Sequence, residues 1–455
     1  MASAIVPVEE AAHAPGLQGE IQAYYAEAAH NATEAEARNA AFEKVPVSRF
    51  PGLPHGTVIE IPSTASVADA VLTLSRHNIL SAPVRNVDGP QDASWIDRYL
   101  GVVDFPGIVL WVLEQSELAA AAIAAGAAGV GGLAAGAVGA LGAVALGATG
   151  VGAAAGVGVG ALAVAAAAGV GVSTSGGPAS SGPAAADYME GDFYKALQET
   201  DYFKTTTVGA VAGTFRWGPF LPVQLEDRLL TLLLLTSKYR LRSVPVVEPG
   251  RGALRNLVTQ SAIVRWLADC AGTDWYDSVA NKTLTQLGLS LSPAAVVSVS
   301  GDSPVLTAFQ LMKERGVGGV PVLDGEGGPI IGNVSARDIR FLLTSPDYYA
   351  EREKVTVRQF VSSAGAASPI ADLHLDTTSP AMSPPITCTA DSTLADVVAT
   401  LSRARIHRIY VVDAQRRVQG VVTLRWIISR FVTEPKDYFK DFFEGVVPGA
   451  TVSSS

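Results

Sequence analysis

Few side chains in this 455-residue chain have types and spacings suited to chemistry. No Gly-Lys-Ser/Thr phosphate loop, GxGxxG turn, HExxH helix or GxSxG elbow stands out, and glycines in a low-complexity tract mimic such motifs by composition alone. The histidines at 13, 30, 55, 77, 374 and 407 fall at no metal-binding spacing. Cys270 and Cys388 form no CxxC pair and read as buried, inert thiols. What remains is suited to holding a ligand rather than making bonds. Asp338 follows Gly332 by six residues, with the Ser335 hydroxyl and the Arg337 guanidinium close in sequence. His407 and Arg408 stand just before an apolar strand, and Arg242 precedes another. Thr259 and Thr423 fall where Ser335 does in its own segment. Each also has a structural reading: a carboxylate at a helix start is favoured by the dipole, and a lone histidine is more often structural than a ligand contact.

The elements that must position these groups repeat. Four windows each open with a helix whose apolar residues fall at i, i+3, i+4 and i+7. The faces are Val67/Ala70/Val71/Leu74, Leu229/Leu232/Leu233/Thr236, Val305/Ala308/Phe309/Met312 and Leu394/Val397/Val398/Leu401. Sixteen residues after the first of these comes an apolar strand, entered at Pro83, Pro245, Pro321 and Tyr410. A turn follows, then a second strand that usually carries glycine and runs into another helix, as in Ile331-Gly332-Asn333-Val334-Ser335 and Gln419-Gly420-Val421-Val422-Thr423. Start signals precede most first helices: Thr64 and Ser66, Asp302-Ser303 followed by Pro304 in the first turn, and Asp391-Ser392-Thr393. The unit is helix, strand, strand, helix, with a short strand before it. A unit of about 60 residues cannot bury both sheet faces alone, so pairs should dock through their sheets.

The net charge of −10 argues against nucleic acid as the main partner but permits a local basic pocket. Two cysteines suit a reducing compartment, and the first 29 residues lack a basic run before an apolar one, so a cytoplasmic or nuclear setting is expected. Residues 118–186 carry no charge and are rich in Gly, Ala and Val. Scarce Leu, Ile and Phe and the lack of flanking Lys or Arg favour a low-complexity insertion over a membrane segment. The spacing Gly132-Leu133-Ala134-Ala135-Gly136 would permit helix pairing in lipid.

The Pro-Val-Leu-Asp strand at 321–324 and the Gly-x-Val-Ser-x-x-Asp turn at 332–338 resemble the hallmarks of the CBS domain. Four copies resemble the gamma subunit of AMP-activated-type protein kinases. The segments Asp92–Tyr99, Gly213–Phe220, Ile406–Asp413 and Tyr438–Gly445 sharpen this to the plant-type gamma subunit, over about Phe42 to Val447. The resemblance implies an α/β (α+β) fold of four CBS repeats in two tandem Bateman pairs forming a flat disc. It implies a tail at 1–40, repeats at 41–117, 187–275, 276–350 and 351–435 around the insertion at 118–186, and a tail at 436–455. The aromatics at 438–439 and 442–443 suit either a partner contact or packing of that tail onto the last repeat.

The resemblance also implies a non-catalytic subunit that joins a kinase alpha subunit and a scaffolding beta subunit. AMP, ADP or ATP would be a regulatory ligand, with no required cofactor. Asp338 would hold ribose hydroxyls, Ser335 and Arg337 would assist, and His407, Arg408 and Arg242 would reach phosphates. Gly107, Ala262 and Trp426 replace the carboxylate in the other repeats, so at most one cleft is expected to work. Leu80 and Gly318 stand where cations would be, and Ser243 replaces a second cation. A purely structural scaffold and a regulator of a membrane protein are the other readings left open.

Overall fold

The computed structural model describes residues 15–51, 53, 58–77, 79–89, 95–128, 193–211, 220–239, 241–248, 254–344, 351, 354–363 and 384–440. The first helices begin at the first apolar residue of each window: Val67–Arg76, Leu229–Ser237, Val305–Arg315 and Leu394–Ala404. Each window then adds a three-stranded sheet: β1 (Ile61–Pro62), β2 (Ser81–Arg85) and β3 (Tyr99–Asp104); β4 (Val223–Gln224), β5 (Ser243–Val247) and β6 (Leu254–Thr259); β7 (Val299–Ser300), β8 (Gly319–Leu323) and β9 (Ile330–Ser335); β10 (Thr387–Cys388), β11 (Arg408–Val412) and β12 (Val418–Thr423). In every sheet the short first strand runs parallel to the second, and the second antiparallel to the third. All four second strands slip register at their last residue, between Val84/Arg85, Val246/Val247, Val322/Leu323 and Val411/Val412. Identical register defects at equivalent places mark copies of one folding unit.

Ser66 and Thr393 cap their helices as expected, accepting from the amides of Asp69 at 3.0 Å and Asp396 at 3.2 Å. The third window differs from expectation: Pro304 itself occupies the cap position, with no side-chain bond. The reason lies elsewhere in the chain, because the Val305 amide donates to the Val355 carbonyl at 2.8 Å. The same device recurs in all four windows. Val67 N donates to Thr206 O, Leu229 N to Val45 O, and Leu394 N to Lys282 O, at 2.9, 2.8 and 3.1 Å. The segment leading into one repeat thus seals the exposed helix start of the other repeat in the same pair. Helices in the segment 193–211, counted by sequence with the second repeat, accordingly pack their buried faces into the core of the first and third.

Sheet faces join the repeats in pairs. Tyr99 of the first repeat stacks on Phe220 of the second, with ring centroids 4.2 Å apart, over Val247 and Leu254. Ile330 and Leu323 of the third pack against Tyr410, Val412 and Val418 of the fourth. Helices then join the pairs crosswise. The helices of repeats two and four share one core, and those of repeats one and three share another. The cycle of contacts is therefore one–two–four–three, closing back on one. The leucine-rich helix Leu229–Ser237 follows from this, since all nine of its residues are buried, and the Thr236 and Ser237 hydroxyls are satisfied by carbonyls one turn back.

The region read as an N-terminal tail, 1–40, holds the helix Pro15–Ala29 and the start of Glu34–Lys44, and these two helices bury Leu17, Ile21, Ala37, Ala41 and Phe42 in the core of repeats two and four. At the other end, of the aromatics read as either a partner contact or packing on the last repeat, those at 438–439 meet the second repeat, and Phe442 and Phe443 lie outside the described residues. The Phe439 ring lies 5.0 Å from Tyr239 of the second repeat, and the Tyr438 hydroxyl meets Thr231 at 2.9 Å and Glu43 at 3.2 Å. The helix Phe105–Ala128 runs past the insertion boundary, and residues 129–186 lie outside the described residues. Among the described residues no helix is long and apolar enough to cross a membrane.

Candidate functional site

Each third strand ends in a residue that caps the helix after it. Thr259 Oγ1 accepts from Ala262 N at 3.1 Å, Thr423 Oγ1 from Trp426 N at 3.3 Å, and Asp104 Oδ1 from Gly107 N at 2.8 Å. In the third repeat Ser335 and Asp338 form a reciprocal capping box. Ser335 donates from both its amide and its hydroxyl to Asp338 Oδ2, at 2.7 and 2.8 Å. Thr259 and Thr423, expected as ligand hydroxyls, thus serve first as caps in this structure, and Asp104 holds the equivalent place in the first repeat.

The start of each second strand lies opposite that cap. Arg408 pairs with Thr423, Gly319 with Ser335, Ser243 with Thr259, and Ser81 with Asp104. The residue one step earlier accepts from the first amide of the second helix: Leu80 from Phe105, Arg242 from Gln260, Gly318 from Ala336, and His407 from Leu424. Backbone alone therefore sets residues 80, 242, 318 and 407 at equivalent places in the four repeats.

Side chains of repeats two, three and four converge on His407. The His407 ring nitrogen Nε2 lies 2.9 Å from the Ser261 hydroxyl of the second repeat. Its protonation is opposed by loss of bulk water and then by Arg337, Arg408, Arg242 and Arg265, which together push its pKa down to about 4. His407 nevertheless remains open to solvent, as do Arg242 and Arg265, so the cations line an accessible space. Arg405 adds to the field felt by Arg265. It caps its helix in the left-handed region, at φ 50°, where the third repeat uses Gly316 at φ 64°. Arg265 and Arg405 were not legible as site residues. The available signal for Arg265 was its place one helical turn after Ser261.

Gly318, read from sequence as a missing cation, and its neighbour Gly319 have a different use. A Cβ on Gly319 would fall 1.3 Å from Arg408 Nη1, and one on Gly318 would fall 2.9 Å from Nη2. The bare backbone of repeat three is the bed on which the guanidinium of repeat four lies. Arg408 Nη1 is buried there and finds no acceptor among the described residues. A buried, charged donor without a partner is costly unless an anion completes it.

Asp338 is 2% exposed. Burial pushes its carboxyl up to about 6, against the pull of the Ser335 bonds and of Arg337 and Arg408. It and His407 therefore move stability in opposite directions with pH. An unfolded aspartate titrates near 3.9 and an unfolded histidine near 6.5. Between about pH 4 and 6 the folded chain holds a proton on Asp338 that the unfolded chain lacks, so this group's contribution is lost as pH rises toward 6. Over about pH 6.5 to 4 the folded chain lacks a proton on His407 that the unfolded chain takes up, so that contribution is lost as pH falls. Relative to wild type, Asp338→Asn should make stability climb more steeply with pH across this window. His407→Gln should make it fall with pH. Thermal melts at half-unit pH steps measure both slopes, and parallel curves for all three proteins would contradict the assignment.

Trp426 stands in the fourth repeat at the position of Asp338, and Arg430 lies over its ring at 4.9 Å. The carboxylate positions in repeats one and two are Gly107 and Ala262, so Asp338 alone among the four combines a carboxylate with the convergent cations.

The CBS domain model matches residues 293–345 and 378–430, which are the third and fourth windows. The chain is 40% identical over 418 residues to the SNF1-related protein kinase regulatory subunit gamma-1 of Arabidopsis thaliana, covering 91% of this chain and 88% of that protein. It is 44% identical over 408 residues to the gamma-1-like subunit of the same plant, covering 89% of each. A solved protein of Methanocaldococcus jannaschii aligns with 85% of this chain and 100% of its own at 12% identity, with a TM-score of 0.49.

Proposed function

Because this chain belongs to the family of SNF1-related protein kinase regulatory gamma subunits, we propose that it is the non-catalytic gamma subunit of a heterotrimeric Ser/Thr kinase, holding an adenine nucleotide at its centre. The observation that carries the nucleotide reading is the cluster of Arg242, Arg265, Arg337, His407 and Arg408, drawn from three repeats around one accessible space. Guanidinium groups take phosphate oxygens in bidentate, charge-assisted bonds, so this set suits the phosphates of AMP, ADP or ATP. Ser261 and His407 would add neutral donors. Asp338, whose Oδ2 is occupied by Ser335 in the described state, would take the ribose hydroxyls through its other oxygen. The partners are a kinase alpha subunit and a beta scaffold, and the nucleotide would act only through a difference in affinity between two states of the complex.

A structural scaffold without nucleotide is favoured by one observation, the absence of a carboxylate at 107, 262 and 426. Co-expression with alpha and beta subunits, followed by calorimetry with AMP, ADP and ATP, separates the two. Heat of binding that disappears in the His407→Ala/Arg242→Ala protein supports the sensor. Intact assembly with no heat at millimolar nucleotide supports the scaffold. Failure to assemble would overturn both.

A further inference from the structure

A second cationic cavity lies away from the centre, where the end of the Leu229–Ser237 helix, the linker at 282–287 and the Leu424–Phe431 helix meet. Its volume is about 590 Å³, within the range of pockets that hold small organic ligands. Lys238, Lys282, Arg425 and Arg430 line it with Ser429 and Thr433, and no carboxylate is among its lining residues. It shares no lining residue with the site around His407.

Backbone carbonyls help to fix the two arginines in place. Arg425 Nε donates to the Ser237 carbonyl at 2.7 Å, and Arg430 Nη1 to the Leu287 carbonyl at 3.0 Å. Arg430 also reaches the Ser429 hydroxyl, from Nη2 at 3.2 Å. Burial lowers the pKa of Arg430, and no carboxylate raises it back. The Lys282 ammonium meets Glu34 at 3.3 Å, but both groups are about half exposed, and such a pair contributes little. Leu287 and Val432 supply an apolar part of the wall. The cavity thus combines held guanidiniums, exposed lysines and a patch of carbon surface, while the Ser429 hydroxyl donates to the Trp426 carbonyl at 2.7 Å. Fixed charges of one sign in a concave site concentrate the opposite charge.

We propose that this cavity is a second ligand site, taking a small organic phosphate whose phosphate meets the arginines and lysines while its carbon portion rests on Leu287 and Val432. The site bridges repeats two and four, so its occupant ties together helices of both pairs.

The test is calorimetric titration of the full chain with phenyl phosphate and with inorganic phosphate at low salt. Four proteins are compared: wild type, Lys238→Ala/Lys282→Ala, Ser429→Asp, and the central His407→Ala/Arg242→Ala protein. Lys238 is exposed and Lys282 largely so, so the lysine variant should fold as wild type, which a thermal melt verifies. Phenyl phosphate binding that survives in the central variant, but weakens at least tenfold in the lysine variant and in Ser429→Asp, supports the site. It does so whether or not the centre takes nucleotide. Binding by the central variant that is unchanged when the lysine or Ser429 substitutions are added overturns it. Equal affinity for inorganic and phenyl phosphate overturns the organic part of the assignment.

Discussion

Arg408→Ala is expected to weaken AMP binding by about 2–4 kcal/mol, roughly a 30- to 1000-fold rise in Kd, because truncating one member of a desolvated charge pair strands the other. The case is sharpened by a substitution that removes no charge. At Gly319 an added methyl group would fall 1.3 Å from Arg408 Nη1 and 2.9 Å from the Val334 carbonyl oxygen. The guanidinium must leave its bed, since the backbone cannot yield as cheaply as the end of a long side chain. Gly319→Ala should therefore lose on the order of tenfold in affinity although the cation is still present. Both variants should retain the fold, and their losses should not add, because they disable the same group. Calorimetry on the two single variants and the double variant measures this. Wild-type affinity in Gly319→Ala would show that the glycines are not there for Arg408.

Trp275→Ala is expected to cost about 3–5 kcal/mol, a large share of what a domain has to lose. Trp275 is fully buried and touches aromatic rings from three parts of the chain. Phe42 of the N-terminal helices lies 5.4 Å away, Trp266 and Tyr276 of the second repeat lie 5.9 and 6.1 Å away, and Phe431 of the fourth lies 6.2 Å away. Truncation leaves a cavity that these rings, fixed from different directions, cannot collapse to fill. Its indole N–H finds no acceptor among the described residues. Trp275→Phe removes that unpaired donor along with some volume, so it should cost much less than the alanine variant. Urea denaturation of the three proteins gives the order, and equal losses for Phe and Ala would refute the argument from the cavity.

How far the sequence could be read is clearest in particular residues. The sixteen-residue interval named all four helix starts and the strands after them, because a helix packed on its own strand leaves little freedom in the connecting turn. Caps at Ser66 and Thr393 were legible since their partners lie within three residues. Pro304 was misread for the opposite reason: the group that satisfies its helix start comes from Val355. The N-terminal helices read as a tail because residues 15–44 are rich in alanine and glutamate, and their burial depends on a surface supplied by repeats two and four. At the site, Asp338, Ser335, Arg337, His407, Arg408 and Arg242 were named from motif positions. The structure brings Arg337, Arg408 and Arg242 to bear on His407, and Arg337 and Arg408 on Asp338. Arg265 and the bed at Gly318–Gly319 were missed, because convergence of three repeats on one space leaves no local mark in any of them.

The crossed seals at the helix starts set the smallest piece of this chain that can stand alone. A fragment cut between the first and second windows would leave Val67 and Leu229 each facing water with a bare amide, since each half carries the other's stopper at Thr206 and Val45. The same holds for Val305 and Leu394 in the later half. Damage to the stretch before one window should therefore be felt in its neighbour, and independence begins only with two windows taken together.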